Sequence, residues 1–222
     1  MATVCLQGGN ELLPPSIAMD RELLDRAPAG PVVVVPLASK PGADYARTSA
    51  HALAYLTELG ASDVVAAPDA RRDPAGAVEA VRAAGLIFLT GGSPRVLRDA
   101  LRDSGLGDVI RTSTALIVGS SAGAMVACTT TLLPQWRAAP LAGPGLGLVP
   151  DVVVVPHFDG RRDQWVRVAL DAAPTVLGIP ENSGVLVDTD TGAMVAIGVG
   201  PTTVITRNGR HELVAGVGFE PT

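Results

Sequence analysis

The segment 114–130 contains a serine in a setting typical of a nucleophile. Residues 119–123 read Gly-Ser-Ser-Ala-Gly and fit the pattern G-x-S-x-G, with Ser121 at the centre. An apolar run of strand length, 115–118, precedes the pattern, and small apolar residues suited to a buried helix follow it. A serine in such a turn adopts a strained backbone conformation that lifts its hydroxyl out of the sheet. The pattern also occurs in ordinary glycine-rich turns, but this context favours a nucleophile.

A nucleophilic serine needs a base, and the chain contains three histidines. His157 lies at the carboxyl end of the predicted strand 151–155, the edge at which Ser121 is expected to emerge. His51 falls in the middle of a predicted helix and His211 in a predicted terminal hairpin, positions more typical of surface or structural residues. We therefore expect His157 to be the base.

The base needs an orienting carboxylate, and Glu181 is the best-placed acid. Glu181 lies in a polar turn after the predicted strand 176–179, whereas most other acids lie on predicted helix faces. Asp159 is the alternative, but it is only two residues from His157 and would struggle to reach Nδ1 of that imidazole. The expected chain order is Ser121, His157, Glu181. In α/β-hydrolases the acid precedes the histidine, so this order argues against that fold.

Glycine turns follow two more predicted strands. Gly91 and Gly92 end the strand 86–90, and residues 8–10, Gly-Gly-Asn, end the strand 3–7 at an edge where ligands of open α/β sheets bind. The N–H groups of Gly92 and Ala122 could together form an oxyanion hole if their loops are neighbours. The alternative is a tight βα turn with Pro94 at the first helical position. Both interpretations can hold at once.

The elements that must position these turns follow from the hydrophobic pattern. In the first half of the chain short apolar runs alternate with amphipathic segments, which predicts βαβ units and a parallel sheet. The predicted strands are 3–7, 31–36, 62–66, 86–90 and 115–118, and the predicted helices are 17–26, 45–59, 72–84 and 95–101.

The second half of the chain has a different pattern. Residues 132–150 are rich in proline and glycine, which predicts a long irregular loop that covers or shapes a substrate pocket. Predicted strands at 151–155 and 176–179 flank a helix at 162–172. Short strands follow at 185–188, 193–197, 202–206 and 212–215, with turns at 188–192 and 208–209. We expect these to form an antiparallel or mixed hairpin extension of the sheet.

Composition places these elements in one α/β domain. The chain has 222 residues, of which 47% are hydrophobic but only 3% aromatic, so the core must consist of Val, Leu, Ile and Ala. Such a core suits strands that helices cover on both faces. We expect a single domain, 1–222, built as a three-layer αβα sandwich around a mainly parallel central sheet.

Charge and cysteine patterns argue against several other classes of protein. The formal net charge is −5 and the 17 Lys and Arg residues are scattered, which is not typical of a nucleic-acid surface. Cys5 and Cys128 lie in apolar segments without metal-ligand spacing, so we expect no metal and no cofactor. No apolar run has the length of a membrane span, and the first residues lack the pattern of a secretion signal. We expect a cytoplasmic protein without a membrane partner.

These motifs together resemble peptidase family S51, which contains dipeptidase E and cyanophycinase. The family's G-x-S-A-G-A elbow is similar to residues 119–124, and its G-G-[NDS] turn is similar to 91–93. Its P-H-F segment resembles 156–158, and its G-[IL]-P-E turn resembles 178–181. The resemblance extends from residue 31 to about residue 206. It implies a class I glutamine amidotransferase-like (flavodoxin-like) fold with a serine nucleophile, a histidine and a glutamate at the positions already singled out.

The sequence departs from cyanophycinase and looks closer to dipeptidase E. Cyanophycinase has an acidic and an amide residue before its histidine, where this chain has Val155 and Pro156, and only Arg161 and Arg162 correspond to its series of arginines. Recognition of a β-aspartyl-arginine polymer is therefore not expected. Dipeptidase E cleaves dipeptides with an N-terminal aspartate, whose carboxylate calls for a cation, and Arg161 is the candidate by position.

The expected function is that of a serine peptidase acting on a small peptide or isopeptide bond, as a monomer or homodimer. Ser93, Asp159 and Arg161 are the expected substrate contacts. The alternatives are a cyanophycinase-like β-aspartyl peptidase and a non-catalytic amidotransferase-like binding domain. An amidotransferase-type glutaminase is less favoured, because that chemistry normally uses a cysteine at the position of Ser121.

Overall fold

The computed structural model describes residues 3–219. Within this range the helices are α1 (Ile17–Arg26), α2 (Ala43–Glu58), α3 (Pro74–Ala83), α4 (Pro94–Asp103), α5 (Leu106–Arg111), α6 (Ala122–Ala127) and α7 (Asp163–Ala172). The strands are β1 (Thr3–Gln7), β2 (Val32–Val35), β3 (Val64–Ala66), β4 (Leu86–Leu89), β5 (Leu116–Ser120), β6 (Thr130–Gln135), β7 (Ala138–Pro144), β8 (Val152–Pro156), β9 (Thr175–Ile179), β10 (Ser183–Asp188), β11 (Met194–Gly198), β12 (Thr202–Thr206), β13 (Gly209–Leu213) and β14 (Gly218–Phe219). The expected domain 1–222 includes residues 1–2 and 220–222, which lie outside the described range.

The central sheet has the strand order β14-β11-β10-β1-β5-β4-β2-β3. From β1 to β3 every neighbouring pair is parallel. On the other side of β1, strands β10, β11 and β14 continue the sheet in antiparallel pairing. The predicted α/β fold with a mainly parallel central sheet and an antiparallel extension is therefore confirmed. Of the four short strands expected in that extension, β10 and β11 lie there, but the prediction is wrong for β12 and β13, which lie outside the central sheet.

Strand β2 shows how the central sheet acquires a core on each face. Successive side chains of a strand point to opposite faces, and all four of its valines are buried. Val33 and Val35 pack in a cluster with residues of α3 to α6, whereas Val32 and Val34 pack with residues of α1 and α2. The uninterrupted valine run is explained by helices on both faces of the sheet, as the three-layer prediction requires.

Strands β8 and β9 belong to a second sheet, which the sequence does not predict. Its strand order is β13-β12-β9-β8, in which β8 and β9 are parallel and the other pairs antiparallel. Helix α6 contacts both β5 of the central sheet and β8 of the second sheet, and all of its residues are buried. Its small side chains permit this close packing on two sides, and the packing brings the ends of β5 and β8 together.

The predicted irregular loop at 132–150 is wrong, because most of this segment forms the hairpin β6–β7. Its turn is Trp136-Arg137, with Arg137 at φ +53°, and the pairing contains an irregularity between Leu133 and Gln135. A two-stranded ribbon has free edges on both sides, where prolines remove no hydrogen bond of the sheet. Leu132 and Leu133 are buried, so the ribbon packs on the body of the protein.

The remaining differences from the sequence predictions are local. The sequence does not predict α5, and the predicted hairpin turn at 208–209 is wrong by one residue, since Arg207 and Asn208 connect β12 to β13. The predicted strand 212–215 is wrong in its bounds, since β13 is Gly209–Leu213. No helix within residues 3–219 combines the length and apolar character needed to cross a membrane. That same range contains no group of three or more His, Cys, Asp or Glu side chains arranged for a metal ion.

Candidate active site

Ser121 occupies a sharp turn between β5 and α6. Its φ and ψ are 46° and −102°, and its N–H donates to the Gln7 carbonyl oxygen at 3.0 Å. A Cβ at Gly119 would lie 2.6 Å from the Gly123 carbonyl carbon, and a Cβ at Gly123 would lie 2.2 Å from the Leu89 carbonyl oxygen. The two glycines of the motif are therefore required by backbone packing beside the strained serine.

The imidazole of His157 lies between Ser121 and Glu181. Its Nε2 is 2.9 Å from Ser121 Oγ, and its Nδ1 is 2.9 Å from Glu181 Oε1. Because a carboxylate only accepts, Nδ1 is assigned the proton and donates to Glu181, which leaves Nε2 to accept from the serine hydroxyl. The side chain of His157 is 35% exposed and that of Glu181 52% exposed, so the group is open to solvent. The structure thus brings together the three residues singled out in the sequence.

The loop after β1 positions the histidine and glutamate turns. The Gly8 carbonyl accepts from the His157 N–H at 2.8 Å, and the Gly9 carbonyl accepts from the Asn182 N–H at 3.1 Å. The imidazole lies directly against Gly9, since a Cβ there would be 2.3 Å from His157 Cε1. His157 itself has φ +50°. The turns that follow β8 and β9 are therefore fixed by the backbone of a central-sheet loop.

Glu11, in the same loop, contacts the other two glycine turns. Its Oε1 accepts from the Gly91 N–H at 2.6 Å, and its Oε2 accepts from Ser120 Oγ at 2.8 Å. Hydrogen bonds to a carboxylate are stronger than those between neutral groups. Glu11 therefore links the end of β4 to the end of β5.

The two amides proposed for an oxyanion hole lie at the ends of these strands. Gly92 has φ +137°, and a Cβ there would lie 2.7 Å from the Ala38 carbonyl oxygen, so only glycine fits. Ala122 is the first residue of α6 and follows Ser121 directly. Within residues 3–219 neither amide N–H donates to a backbone carbonyl, and Ala122 itself is buried.

The turn at Ser93 also has the structural role considered as its alternative. Pro94 is the first residue of α4, and Ser93 is its N-cap, with Oγ accepting from the Val96 N–H at 3.3 Å. The Ser93 N–H donates to the Ala38 carbonyl. The Ser93 side chain is thus engaged in capping a helix.

Asp159 and Arg161 lie on the exposed loop after His157. The Asp159 carboxylate accepts from the Arg161 backbone N–H at 3.0 Å. Nδ1 of His157 is taken by Glu181, so Asp159 is not the partner of the imidazole. No contact within the described residues joins the Arg161 side chain to the group of Ser121, His157 and Glu181.

A buried carboxyl, Asp20, is attached to the strand that precedes the β1 loop. Asp20 is 2% exposed and accepts hydrogen bonds from Gln7 Nε2 at 2.9 Å and from the Tyr55 hydroxyl at 2.8 Å. Burial raises the pKa of Asp20 to about 6, although the hydrogen bonds from Tyr55 and Gln7 lower it. Gln7 also holds the Ser121 N–H through its carbonyl, so this buried group adjoins the serine turn.

Comparisons with known proteins agree with these motifs, since the model of peptidase family S51 matches residues 16–195. The chain belongs to peptidase family S51. This S51 family member is similar in structure to a peptidase from an acI-B1 actinobacterium, with a TM-score of 0.84, 23% identity and coverage of 100% of this chain and 97% of that chain. It is also similar to a proposed peptidase E protein from Listeria monocytogenes EGD-e, with a TM-score of 0.63, 16% identity and coverage of 90% and 100%. A comparison with curated proteins gives no match.

The family confirms the resemblance found in the sequence and places the chain among the peptidases, which are hydrolases. The sequence of this S51 family member does not single out Glu11 or Asp20 as site residues. The available signal for Glu11 was its position, since it directly follows the Gly-Gly-Asn turn at the carboxyl end of a predicted parallel strand. Asp20 gave no signal, because an acid on an amphipathic helix is normally exposed.

Proposed function

We propose that this S51 family member is a serine peptidase that hydrolyses a small peptide or isopeptide bond through an acyl-enzyme. The observation that carries the proposal is the pair of 2.9 Å contacts that connect Ser121 Oγ through the His157 imidazole to Glu181. In a catalytic triad the serine hydroxyl contacts a base, and the base contacts an orienting acid, which is the arrangement of these three side chains. Membership of a peptidase family supports an amide bond as the target.

In the first half-reaction the Ser121 oxygen attacks the carbonyl carbon of the peptide, and the hydroxyl proton passes to Nε2 of His157. The oxyanion that forms accepts hydrogen bonds from the N–H groups of Gly92 and Ala122. The tetrahedral intermediate then collapses with cleavage of the C–N bond, and Nε2 returns the proton to the leaving amine. The products of this step are a free amine and an ester of Ser121.

In the second half-reaction water replaces the amine. The water oxygen attacks the ester carbon while Nε2 of His157 takes a proton from the water. Nε2 then gives this proton to the Ser121 oxygen as the ester bond breaks and the acid product leaves. Glu181 holds the Nδ1–H in place and stabilises the imidazolium in both half-reactions. The exposure of His157 and Glu181 gives water direct access to the ester.

We propose a dipeptide with an N-terminal aspartate as the substrate. The proposal rests on the similarity of the 156–158 and 178–181 motifs to dipeptidase E and on the exposed guanidinium of Arg161. Among the described residues Arg161 forms no ion pair, so it is available to a substrate carboxylate. Ser93 and Asp159 remain candidate substrate contacts, Ser93 through its O–H, which can still donate while its oxygen accepts from the Val96 N–H.

A fluorophosphonate probe tests the nucleophile. We expect the wild-type protein to be labelled at Ser121 and the Ser121→Ala variant to be folded and unlabelled. Ser62→Ala, which changes an exposed serine before β3, is the matched control and should be labelled like the wild type. Labelling that survives in Ser121→Ala removes Ser121 from its role, and an unlabelled wild type favours a non-catalytic binding domain.

A panel of dipeptides tests the substrate. The panel contains N-terminal Asp, β-linked Asp, Glu and neutral residues, and we expect kcat/KM to be highest for N-terminal Asp. Arg161→Ala should then raise KM for that dipeptide more than for the neutral ones. A preference for β-linked Asp would instead favour the cyanophycinase-like alternative.

A further inference from the structure

Glu11 connects the two loops that carry the proposed oxyanion donors. Its carboxylate accepts from the Gly91 N–H at 2.6 Å and from Ser120 Oγ at 2.8 Å, and we call this arrangement the carboxylate bridge. Gly91 directly precedes Gly92, and Ser120 lies two residues before Ala122. One side chain thus ties the ends of β4 and β5 together where the two amides emerge.

The surrounding chain is shaped to hold this bridge. A Cβ at Gly91 would lie 2.6 Å from Glu11 Oε1, so a side chain at this position would displace the carboxylate from where it lies. Asn10 and Leu12, on either side of Glu11, have φ values of +60° and +58°. This left-handed conformation is strained for a residue such as leucine, and it persists where the surrounding structure requires it.

We propose that Glu11 is a positioning residue that sets the spacing between the Gly92 and Ala122 amides, an inference that rests on the proposed function. A donor stabilises an oxyanion when it lies about 2.7 to 3.1 Å from the oxygen, and the two donors belong to separate loops. A shift of about 1 Å in one loop moves its donor out of this range. Glu11 acts through Gly91 and Ser120 and does not itself touch the substrate.

The contacts of Glu11 in the structure are the two hydrogen bonds of the carboxylate bridge, which do not depend on its negative charge alone. None of the ion pairs within residues 3–219 includes Glu11. Glutamine has the length of glutamate without its charge, whereas aspartate has the charge without the length. A bridging role and a charge role therefore predict opposite rankings for Glu11→Gln and Glu11→Asp.

The experiment measures the inactivation rate constant kinact and the constant KI for a fluorophosphonate, whose phosphonyl oxygen occupies the position of the oxyanion. In Glu11→Gln the amide oxygen accepts from Gly91 and the NH₂ group donates to Ser120, so kinact should stay within about threefold of wild type. In Glu11→Asp the shorter side chain reaches only one partner, and kinact should fall about 10- to 100-fold with KI unchanged. Glu79→Gln, at an exposed glutamate of α3, is the control.

Three results would overturn the proposal. The first is wild-type kinact in Glu11→Asp, and the second is a lower kinact in Glu11→Gln than in Glu11→Asp. The third is a lowered melting temperature with unchanged kinact in both Glu11 variants. If Glu11→Asp does not fold, Ser120→Ala carries the test because it removes one end of the bridge. That variant should lower kinact about three- to tenfold, and wild-type kinact would contradict the role of Glu11. Failure of the wild type to be labelled at Ser121 contradicts the proposed function instead.

Discussion

Replacement of Gly9 by alanine tests whether the position of the His157 imidazole limits the reaction. A Cβ at Gly9 would lie 2.3 Å from His157 Cε1, 2.7 Å from Nε2 and 2.9 Å from Nδ1. Carbon atoms in contact are about 3.5 Å apart or more, so the ring must retreat by about 1 Å. A shift of that size takes the 2.9 Å contact between Nε2 and Ser121 Oγ beyond hydrogen-bonding distance or ruins its angle.

The expected loss of rate follows from this displacement. A misplacement of about 1 Å costs on the order of 100-fold in rate, and the full contribution of a general base is about 100- to 10,000-fold. We therefore expect Gly9→Ala to lower kcat/KM for a dipeptide, and kinact for the fluorophosphonate, by about 100-fold. The φ of +109° at Gly9 also strains an alanine, which should cost about 1 to 2 kcal/mol in the free energy of unfolding.

Gly60→Ala separates the displacement of the ring from the strain of the backbone. Gly60 has φ +104°, close to that of Gly9, but a Cβ at Gly60 meets no atom within 4 Å. Urea denaturation should show similar losses of stability in the two variants, whereas only Gly9→Ala should lose activity per folded molecule. Equal activity in the two variants would refute the inference that contact with Gly9 sets the position of the base.

Three further changes probe the orienting acid, the buried carboxyl and the packing of the serine turn. Glu181→Gln should lower kcat by about 100- to 10,000-fold with little change in melting temperature, because it removes the anion that stabilises the imidazolium of His157; wild-type kcat contradicts that role. Burial raises the pKa of Asp20 to about 6, so Asp20 binds its proton more tightly in the native than in the unfolded state. Its contribution to the free energy of unfolding is therefore greatest below about pH 4 and is lost as the pH rises through about 6. In urea denaturation, the free energy of unfolding of Asp20→Asn relative to that of the wild type should rise by up to about 3 kcal/mol between pH 4 and pH 7. A difference that does not change with pH would count against the raised pKa. Gly123→Ala should lose about 1 to 3 kcal/mol in the same assay, because its Cβ would lie 2.2 Å from the Leu89 carbonyl oxygen; unchanged stability would mean that α6 can move away from β4.

The sequence predicts the residues around Ser121 well because local patterns specify them. A buried strand, a glycine-flanked serine and a small-residue helix are all properties of one short segment. His157 and Glu181 follow strands in the same way, and each lies in a motif that resembles the family. The predicted positions of these residues depend only on strand ends, which hydrophobic runs mark clearly.

The second sheet and the carboxylate bridge could not be predicted, because both depend on which strands are neighbours. Two strands, β2 and β8, each contain four consecutive valines and look alike in the sequence. Yet β2 lies in the central sheet and β8 in the second sheet. Glu11 reaches two loops only because β5 lies between β1 and β4. Proline-rich β6 and β7 gave no strand pattern, since a two-stranded ribbon tolerates prolines that a wide sheet would not.

The division of the chain into two sheets has a consequence for the order in which function and structure are lost. Ser121 directly follows β5 of the central sheet, whereas His157 directly follows β8 of the second sheet and Glu181 lies in the turn after β9. A small parting of the sheets along α6 would disconnect the proton path while leaving every strand and helix intact. We expect the reactivity of Ser121 toward the fluorophosphonate to be lost at a lower denaturant concentration than the helical circular dichroism signal. When the protein refolds, this reactivity should recover later than the helical signal.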